Sequence, residues 1–200
     1  MRLIAENLCA ERGGEAVFAG VSFALGGGEA LTVTGRNGTG KTTLLRVISG
    51  LLRASAGTVR LEGGADEPHA AQCHLLGAQN AMKNALSVHE NLAFWQRFSG
   101  AAQLRIEDAL HAVGLPGLGA TPFAYLSTGQ RRRAAIARLL LNHRPVWLLD
   151  EPTSGLDAEA ADVFSKLLGE HLKAGGIAVA ATHLPLGIKE ARELRMGAGS

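Results

Sequence analysis

The first part of the chain alternates apolar and polar positions with a period of two, the pattern of a half-buried strand. Val21, Phe23 and Leu25 are separated by Ser22 and Ala24. Residues 1–34 are therefore predicted to form short strands. The last strand, over 31–34, leads directly into a glycine-rich segment.

Two other apolar runs are continuous rather than alternating. Residues 146–149 are Val-Trp-Leu-Leu and end in two acids, and residues 177–180 are Ile-Ala-Val-Ala. Such short runs predict parallel strands that are buried on both faces. Residues 74–76 predict a further strand.

The middle of the chain, residues 87–141, has a helical period instead. Ser87 and Glu90 have the spacing of a capping box, and apolar positions over 106–113 follow one helix face. A third apolar face covers 136–140. Four arginines are expected to lie outside that face: Arg131, Arg132, Arg133 and Arg138.

Two more helices complete the alternation of strands and helices. One follows Lys41 and ends at Gly50, and the other is capped by Asp157 with apolar positions over 163–168. This order predicts an α/β fold, a P-loop NTPase core with a mostly parallel sheet and N-terminal antiparallel strands. Residues 1–200 are expected to form one domain, with an inserted helical subdomain over about 84–143.

Composition excludes several other classes of protein. Hydrophobic residues make up 46% of the chain and aromatic residues 4%, so aliphatic side chains must fill the core. The net charge of +2 argues neither for nor against an anionic partner, and two cysteines make no disulfide framework. The sequence contains neither a membrane-spanning run nor a secretory signal, so we expect a soluble chain in a reducing compartment.

The glycine-rich segment fits the phosphate-binding pattern G-x-x-x-x-G-K-[ST]. Its backbone N–H groups and the following helix N-terminus would hold phosphate oxygens. Lys41 would reach the β- and γ-phosphates of ATP, and Thr42 would ligate Mg²⁺. The predicted nucleotide contacts here are Gly35, Arg36, Asn37, Gly38, Thr39, Gly40, Lys41, Thr42 and Thr43.

Acidic residues follow the buried strand 146–149. Asp150 is expected to meet Mg²⁺ through water, and Glu151, one residue further, to polarise the attacking water. His183 follows strand 177–182 at the same edge of the sheet, where it could hydrogen-bond the γ-phosphate. Ser127 and Gly129 precede a helix and form a second anion site.

These motifs occur in the order found in the ATP-binding cassette of ABC transporters, which nearly the whole chain resembles. The resemblance identifies residues 35–42 as the P-loop and residues 126–130 as the signature. Gln79 would be the Q-loop glutamine, residues 154–157 the D-loop and His183 the switch histidine. Asp150 would be the Walker B acid.

The resemblance implies a mechanism and a set of partners. Two cassettes form a homodimer on ATP, and Ser127, Gly129 and Gln130 of one subunit complete the site of the other. Glu151, His183 and Gln79 would act in hydrolysis, and Thr42, Gln79 and Asp150 would hold Mg²⁺. The chain would serve an integral membrane transporter subunit from the cytoplasmic face of the inner membrane, as a peripheral protein with no nucleic-acid partner.

The chain departs from the family at two positions. Arg12 stands where many cassettes have an aromatic residue that stacks on adenine; its planar guanidinium can also stack, and Phe18 is an alternative. Thr128 stands where the signature commonly has glycine, so its side chain must point away from phosphate.

Within the family, the chain most resembles the branch that serves cytochrome c biogenesis, also described as haem exporters. The matching stretches include residues 8–14, 90–95, 131–133, 147–152 and 175–176. The alternatives are an ATPase subunit of another ABC exporter and a soluble ABC ATPase of translation or DNA repair.

Overall fold

The computed structural model describes residues 1–100, 102–188 and 190–197. Two sheets, five α-helices and two short 3₁₀ turns make up the fold of these residues. The strands are β1 (Arg2–Arg12), β2 (Glu15–Gly26), β3 (Ala30–Thr34), β4 (Ala56–Glu62), β5 (Cys73–Leu76), β6 (Val146–Asp150), β7 (Ile177–Ala181) and β8 (Arg192–Arg195). The helices are α1 (Lys41–Ile48), α2 (Val88–Ser99), α3 (Ile106–Ala112), α4 (Thr128–Leu140) and α5 (Ala158–Lys173).

The larger sheet has the strand order β5-β6-β7-β3-β8, and all its pairs are parallel. The smaller sheet, β2-β1-β4, is antiparallel. The predicted α/β fold class with N-terminal antiparallel strands is thus confirmed. One difference is length, because β1 and β2 form a long hairpin of 11- and 12-residue strands rather than several short ones.

Every residue of β6 and β7 is buried, as the continuous apolar runs predicted. One apolar cluster joins α1 to the smaller sheet and one face of the larger sheet. A second cluster joins α2, α3, α4 and α5 to the other face. The sheet is therefore covered on both sides, and its carboxyl-terminal edge is left for the polar residues that follow the strands.

The helix starts agree with the sequence. Ser87 and Glu90 form the predicted capping box of α2, and Asp157 caps α5 through Ala160 N at 2.8 Å. Of the helices in the described part of the chain, none is both long and apolar enough to cross a membrane.

The placement of two arginines of α4 differs from the sequence prediction. Arg132 and Arg138 do not lie outside the apolar face but are buried, with 4% and 6% of their surfaces exposed. The Arg138 guanidinium lies 4.3 Å from the Trp95 ring centre and donates to Leu75 O. The period of a helix shows only on which side of it a side chain lies. The carbonyl groups that accept hydrogen bonds from Arg132 and Arg138 come from distant segments, so nothing in the sequence indicated that these arginines could be buried.

Candidate active site

The P-loop connects β3 to α1 with a backbone that requires glycine. Gly35 has a φ of +139° and Gly40 a φ of +92°. A side chain on Gly35 would collide with Met196 O, and a Cβ on Gly40 would lie 2.8 Å from Val17 Cγ1. The loop between them, 36–38, is exposed, so its backbone is available to a ligand.

Lys41, Thr42 and Thr43 are the first three residues of α1. Lys41 Nζ lies 2.6 Å from Gly35 O and 3.1 Å from Arg36 O, so the ammonium group folds back over the loop. A phosphate group in the loop would offer this ammonium a charged acceptor in place of neutral carbonyls.

Thr42 and Asp150 bring the two ends of the site together. The Thr42 hydroxyl donates to Asp150 Oδ2 at 2.8 Å, although 108 residues separate them in sequence. Asp150 is 5% exposed at the end of β6. A hydroxyl and a carboxylate side by side are oxygen ligands of the kind that Mg²⁺ takes.

Glu151 leaves β6 with a left-handed backbone. Its φ is +44°, a conformation that is uncommon for residues other than glycine. The Glu151 N–H donates to Ala181 O at 2.8 Å, which ties it to the end of β7. Its Oε1 is 3.9 Å from His183 Nε2, so the two sequence-predicted residues are neighbours at the sheet edge.

The signature residues begin α4. The Ser127 hydroxyl accepts from Gln130 N at 3.2 Å, and the Gln130 side chain accepts from Ser127 N at 2.9 Å. Both side chains therefore serve a capping box. A Cβ added to Gly155 of the D-loop would lie 3.3 Å from Thr128 Cγ2, so the Thr128 methyl group faces the D-loop of its own chain.

Three further positions were predicted to contact nucleotide or metal. Gln79 is exposed in the loop that follows β5, and Arg12 is exposed at the end of β1. Phe18 is not available as the alternative adenine platform, because it is 6% exposed and packs in the core beside Gly40.

Sequence reasoning missed Arg132 as a residue of this site. Its Nη2 donates to the carbonyl oxygens of Asp150 and Glu151, both at 2.8 Å. Burial lowers its pKa to about 10, partly offset by the nearby charges of Asp150 and Glu151, so it remains cationic at neutral pH. The run of three arginines after the signature was visible, but nothing in it distinguished the buried one.

A phosphate loop, a buried carboxylate beside its threonine and a glutamate one residue further define a P-loop nucleotide hydrolase. The family described as "ABC transporter" matches residues 18–154. The chain belongs to this family and is an ABC-type ATPase. The family implies nucleotide binding and a membrane partner.

Relatives cover nearly the whole chain. A protein of Mesorhizobium japonicum is 62% identical over 199 residues, 98% of each chain. A protein of a Chelativorans species is 59% identical over 202 residues, the full length of both. One from Brucella abortus is 57% identical over 189 residues, 94% of this chain and 88% of the relative. All three bear the name "Cytochrome c biogenesis ATP-binding export protein CcmA".

Solved structures agree on the fold. An ABC transporter ATP-binding protein from Pyrococcus furiosus has a TM-score of 0.83 at 24% identity and covers 98% of both chains. Another, titled "Structure of ATP binding subunit of ABC transporter", has a TM-score of 0.82 at 24% identity, covering 92% of this chain and 80% of its own.

Proposed function

We propose that this chain is the ATP-hydrolysing subunit of an ABC transporter complex that acts in cytochrome c biogenesis and is described as a haem exporter. The observation that carries the assignment to this branch is the 57–62% identity, over nearly full length, to relatives of that name. The hydrogen bond between Thr42 and Asp150, with Glu151 next to it, supports hydrolysis at this site. Residues 1–200 would act as one ABC domain.

The residues at the sheet edge take separate roles in this proposal. Mg²⁺, held by Thr42 and through water by Asp150 and Gln79, would neutralise charge on the β- and γ-phosphates. Glu151 would accept a hydrogen bond from the attacking water and orient it. His183, close to Glu151, would hold the γ-phosphate.

The nucleotide would be bound through the remaining predicted contacts. The P-loop N–H groups and Lys41 would hold its phosphates, and Arg12, exposed at the end of β1, would lay its planar guanidinium on the adenine. In the P-loop itself, Arg36, Asn37, Gly38 and Thr39 would contribute mainly backbone groups.

A second copy of the chain would complete the site. Beside the P-loop, each chain would offer a second anion site at the start of α4, where Ser127 caps the helix and Gly129 and Gln130 lie in its first turn. In a head-to-tail homodimer formed on ATP, the signature of one chain would face the γ-phosphate held by the other. Helix N-termini favour such an anion.

The membrane subunit would dock on α2. Phe94 and Phe98 are 50% and 68% exposed, and their rings stack at 6.0 Å. On the same helix, Trp95 Nε1 donates to Ala81 O at 3.0 Å, which connects this surface to the loop that carries Gln79. Exposed apolar side chains beside the loop that carries Gln79 suit a protein interface. The chain would thus be peripheral, at the cytoplasmic face of the cell membrane.

An ATPase subunit of a different ABC exporter would have the same site. A soluble ABC ATPase would share the nucleotide residues but would need no membrane subunit. Co-purification separates these alternatives, because only the proposed function requires the chain to be retained by a membrane protein that cytochrome c biogenesis also requires.

The direct test is covalent haem staining of c-type cytochromes in cells whose only copy carries Glu151→Gln. We expect the stain to disappear while the amount of this chain stays unchanged. Glu159→Gln, on the exposed first turn of α5, is the matched control. Normal staining with Glu151→Gln would remove the cytochrome c assignment and leave the ABC ATPase.

A further inference from the structure

The guanidinium group of Arg132 is buried among backbone carbonyl groups from two loops. Its Nε donates to Pro152 O at 2.9 Å, and its Nη2 donates to the carbonyls of Asp150 and Glu151. Its Nη1 donates to Gly77 O at 2.7 Å. One side chain of α4 therefore binds both the segment that follows β6 and the segment that follows β5.

The carbonyls of three consecutive residues, 150 to 152, all accept from this one group. The Glu151 N–H is held from the other side by Ala181 O. The peptide groups on both sides of Glu151 are thus fixed by hydrogen bonds. They hold Glu151 in its left-handed conformation, with a φ of +44°. A strained backbone of this kind persists only where its surroundings determine it.

The second segment held by Arg132 carries Gln79. Gly77 O accepts from Nη1, and the Asn80 side chain is a weaker acceptor at 3.4 Å. Any displacement of residues 77–80 must therefore move the same planar group that fixes the carbonyls around Glu151. A guanidinium can make these contacts at once because its N–H groups point in fixed, diverging directions.

We propose that Arg132 is a positioning residue for ATP hydrolysis, which fixes the backbone of Glu151 and couples it to the loop that carries Gln79. The inference rests on the proposed function, since it takes Glu151 as the residue that orients water. The hydrogen bonds of Arg132 go to backbone carbonyl groups and to the Asn80 side chain. Arg132 acts through the conformation of Glu151.

Arg132→Lys tests the proposal, because lysine keeps the charge but has one donor atom, which cannot span the two segments. Arg133→Lys is the matched control on the neighbouring position, where the guanidinium donates to Gly114 O at 2.8 Å, away from Glu151. We would measure ATP affinity and steady-state turnover in the purified full-length chain, with turnover normalised to bound nucleotide so that unfolded chain does not count.

We expect Arg132→Lys to lower kcat by about 10- to 100-fold, because small misplacements of a catalytic group have effects of this size. ATP affinity and KM should stay within about threefold of wild type, since the P-loop is untouched. Arg133→Lys should have the kcat and the ATP affinity of the wild type. Arg132→Gln, which retains N–H donors without the charge, should also lower kcat and leave ATP affinity unchanged.

Two results would overturn the inference. A wild-type kcat in Arg132→Lys would show that the catalytic position of Glu151 does not depend on Arg132. A parallel loss of ATP affinity and of turnover per bound nucleotide would show that Arg132 only supports the overall fold. Glu151→Gln, assayed alongside, separates this from the proposed function. Slow turnover in Glu151→Gln with normal turnover in Arg132→Lys rejects only the inference, whereas normal turnover in Glu151→Gln rejects the role that the proposed function gives to Glu151 and, with it, the inference.

Discussion

The Thr42 hydroxyl and the Asp150 carboxylate are joined by a 2.8 Å hydrogen bond that connects the first turn of α1 to the end of β6. The two residues come from opposite halves of the sequence. Asp150 is almost fully buried, so it needs a partner of this kind to remain in place. The bond also preforms a pair of oxygen ligands before any metal binds.

Thr42→Val should weaken the binding of Mg²⁺ at the site. Valine keeps the shape but loses the hydroxyl ligand, and we expect apparent Mg²⁺ affinity to fall by about 10- to 100-fold. The measurement is turnover against MgCl₂ concentration. Thr58→Val, on an exposed position of β4, is the control. An unchanged Mg²⁺ titration in Thr42→Val would contradict the assignment.

Lys41→Met should remove most ATP binding. The ammonium group now lies on two loop carbonyls, and loss of its charged contacts to phosphate should cost about 3 kcal/mol or more, about a hundredfold in Kd. Equilibrium binding of ATP measures this directly. Lys166→Met, exposed on α5, should bind as wild type does. Normal affinity in Lys41→Met would refute the phosphate role.

Ser127→Arg should prevent ATP-driven dimerisation without affecting ATP binding by the monomer. A long side chain would enter the space that the γ-phosphate of the partner requires, while the P-loop of the same chain stays intact. The measurement is light scattering with ATP in a Glu151→Gln background, which slows hydrolysis. A dimer should form when residue 127 is serine and not when it is arginine. Thr58→Arg is a control for added bulk and charge. Dimers in Ser127→Arg would exclude the composite site.

Stability should fall as the pH drops below about 6.5, in part because of His74. Burial lowers the pKa of His74 to about 3, despite the favourable contact of Nε2 with Asn142 O at 2.9 Å. The unfolded chain takes up this proton near pH 6.5 and the folded chain does not, so acid favours unfolding. Between pH 7 and 5 this one residue should remove about 2 kcal/mol of unfolding free energy.

Denaturant melts of wild type and His74→Gln at several pH values measure that contribution. Glutamine keeps an N–H donor but does not titrate, so the variant should lose less stability between pH 7 and 5. Equal pH dependence of the two proteins would mean that His74 is not held neutral in the fold.

Local chemistry explains why much of the fold was predictable. The continuous apolar run of β6 and the serine-to-glutamate spacing at Ser87 are signals that neighbouring residues carry by themselves. In contrast, β8 is Arg-Glu-Leu-Arg, which shows no strand period. This strand is specified by β3, the partner strand beside it.

The same distinction applies to the site. The P-loop and the Asp150–Glu151 pair were predictable because the motif and the strand end lie within a few residues. The burial of Arg132 was not predictable, because the carbonyl groups that accept its hydrogen bonds lie 18 to 55 residues away in the sequence. The exposure of Phe18 was misjudged for a related reason. The alternating pattern of its strand did not show that the P-loop covers the face on which Phe18 lies.

The strand order has a consequence for folding during synthesis on the ribosome. In the sheet, β3 lies between β7 and β8, so the strand that enters the P-loop finds its first neighbour only at Ile177. A chain still emerging from the ribosome can close the β1–β2 hairpin early, but β3 stays unpaired until β7 has been made. We therefore expect the nucleotide site to form only after residues 177–181 have been added to the chain.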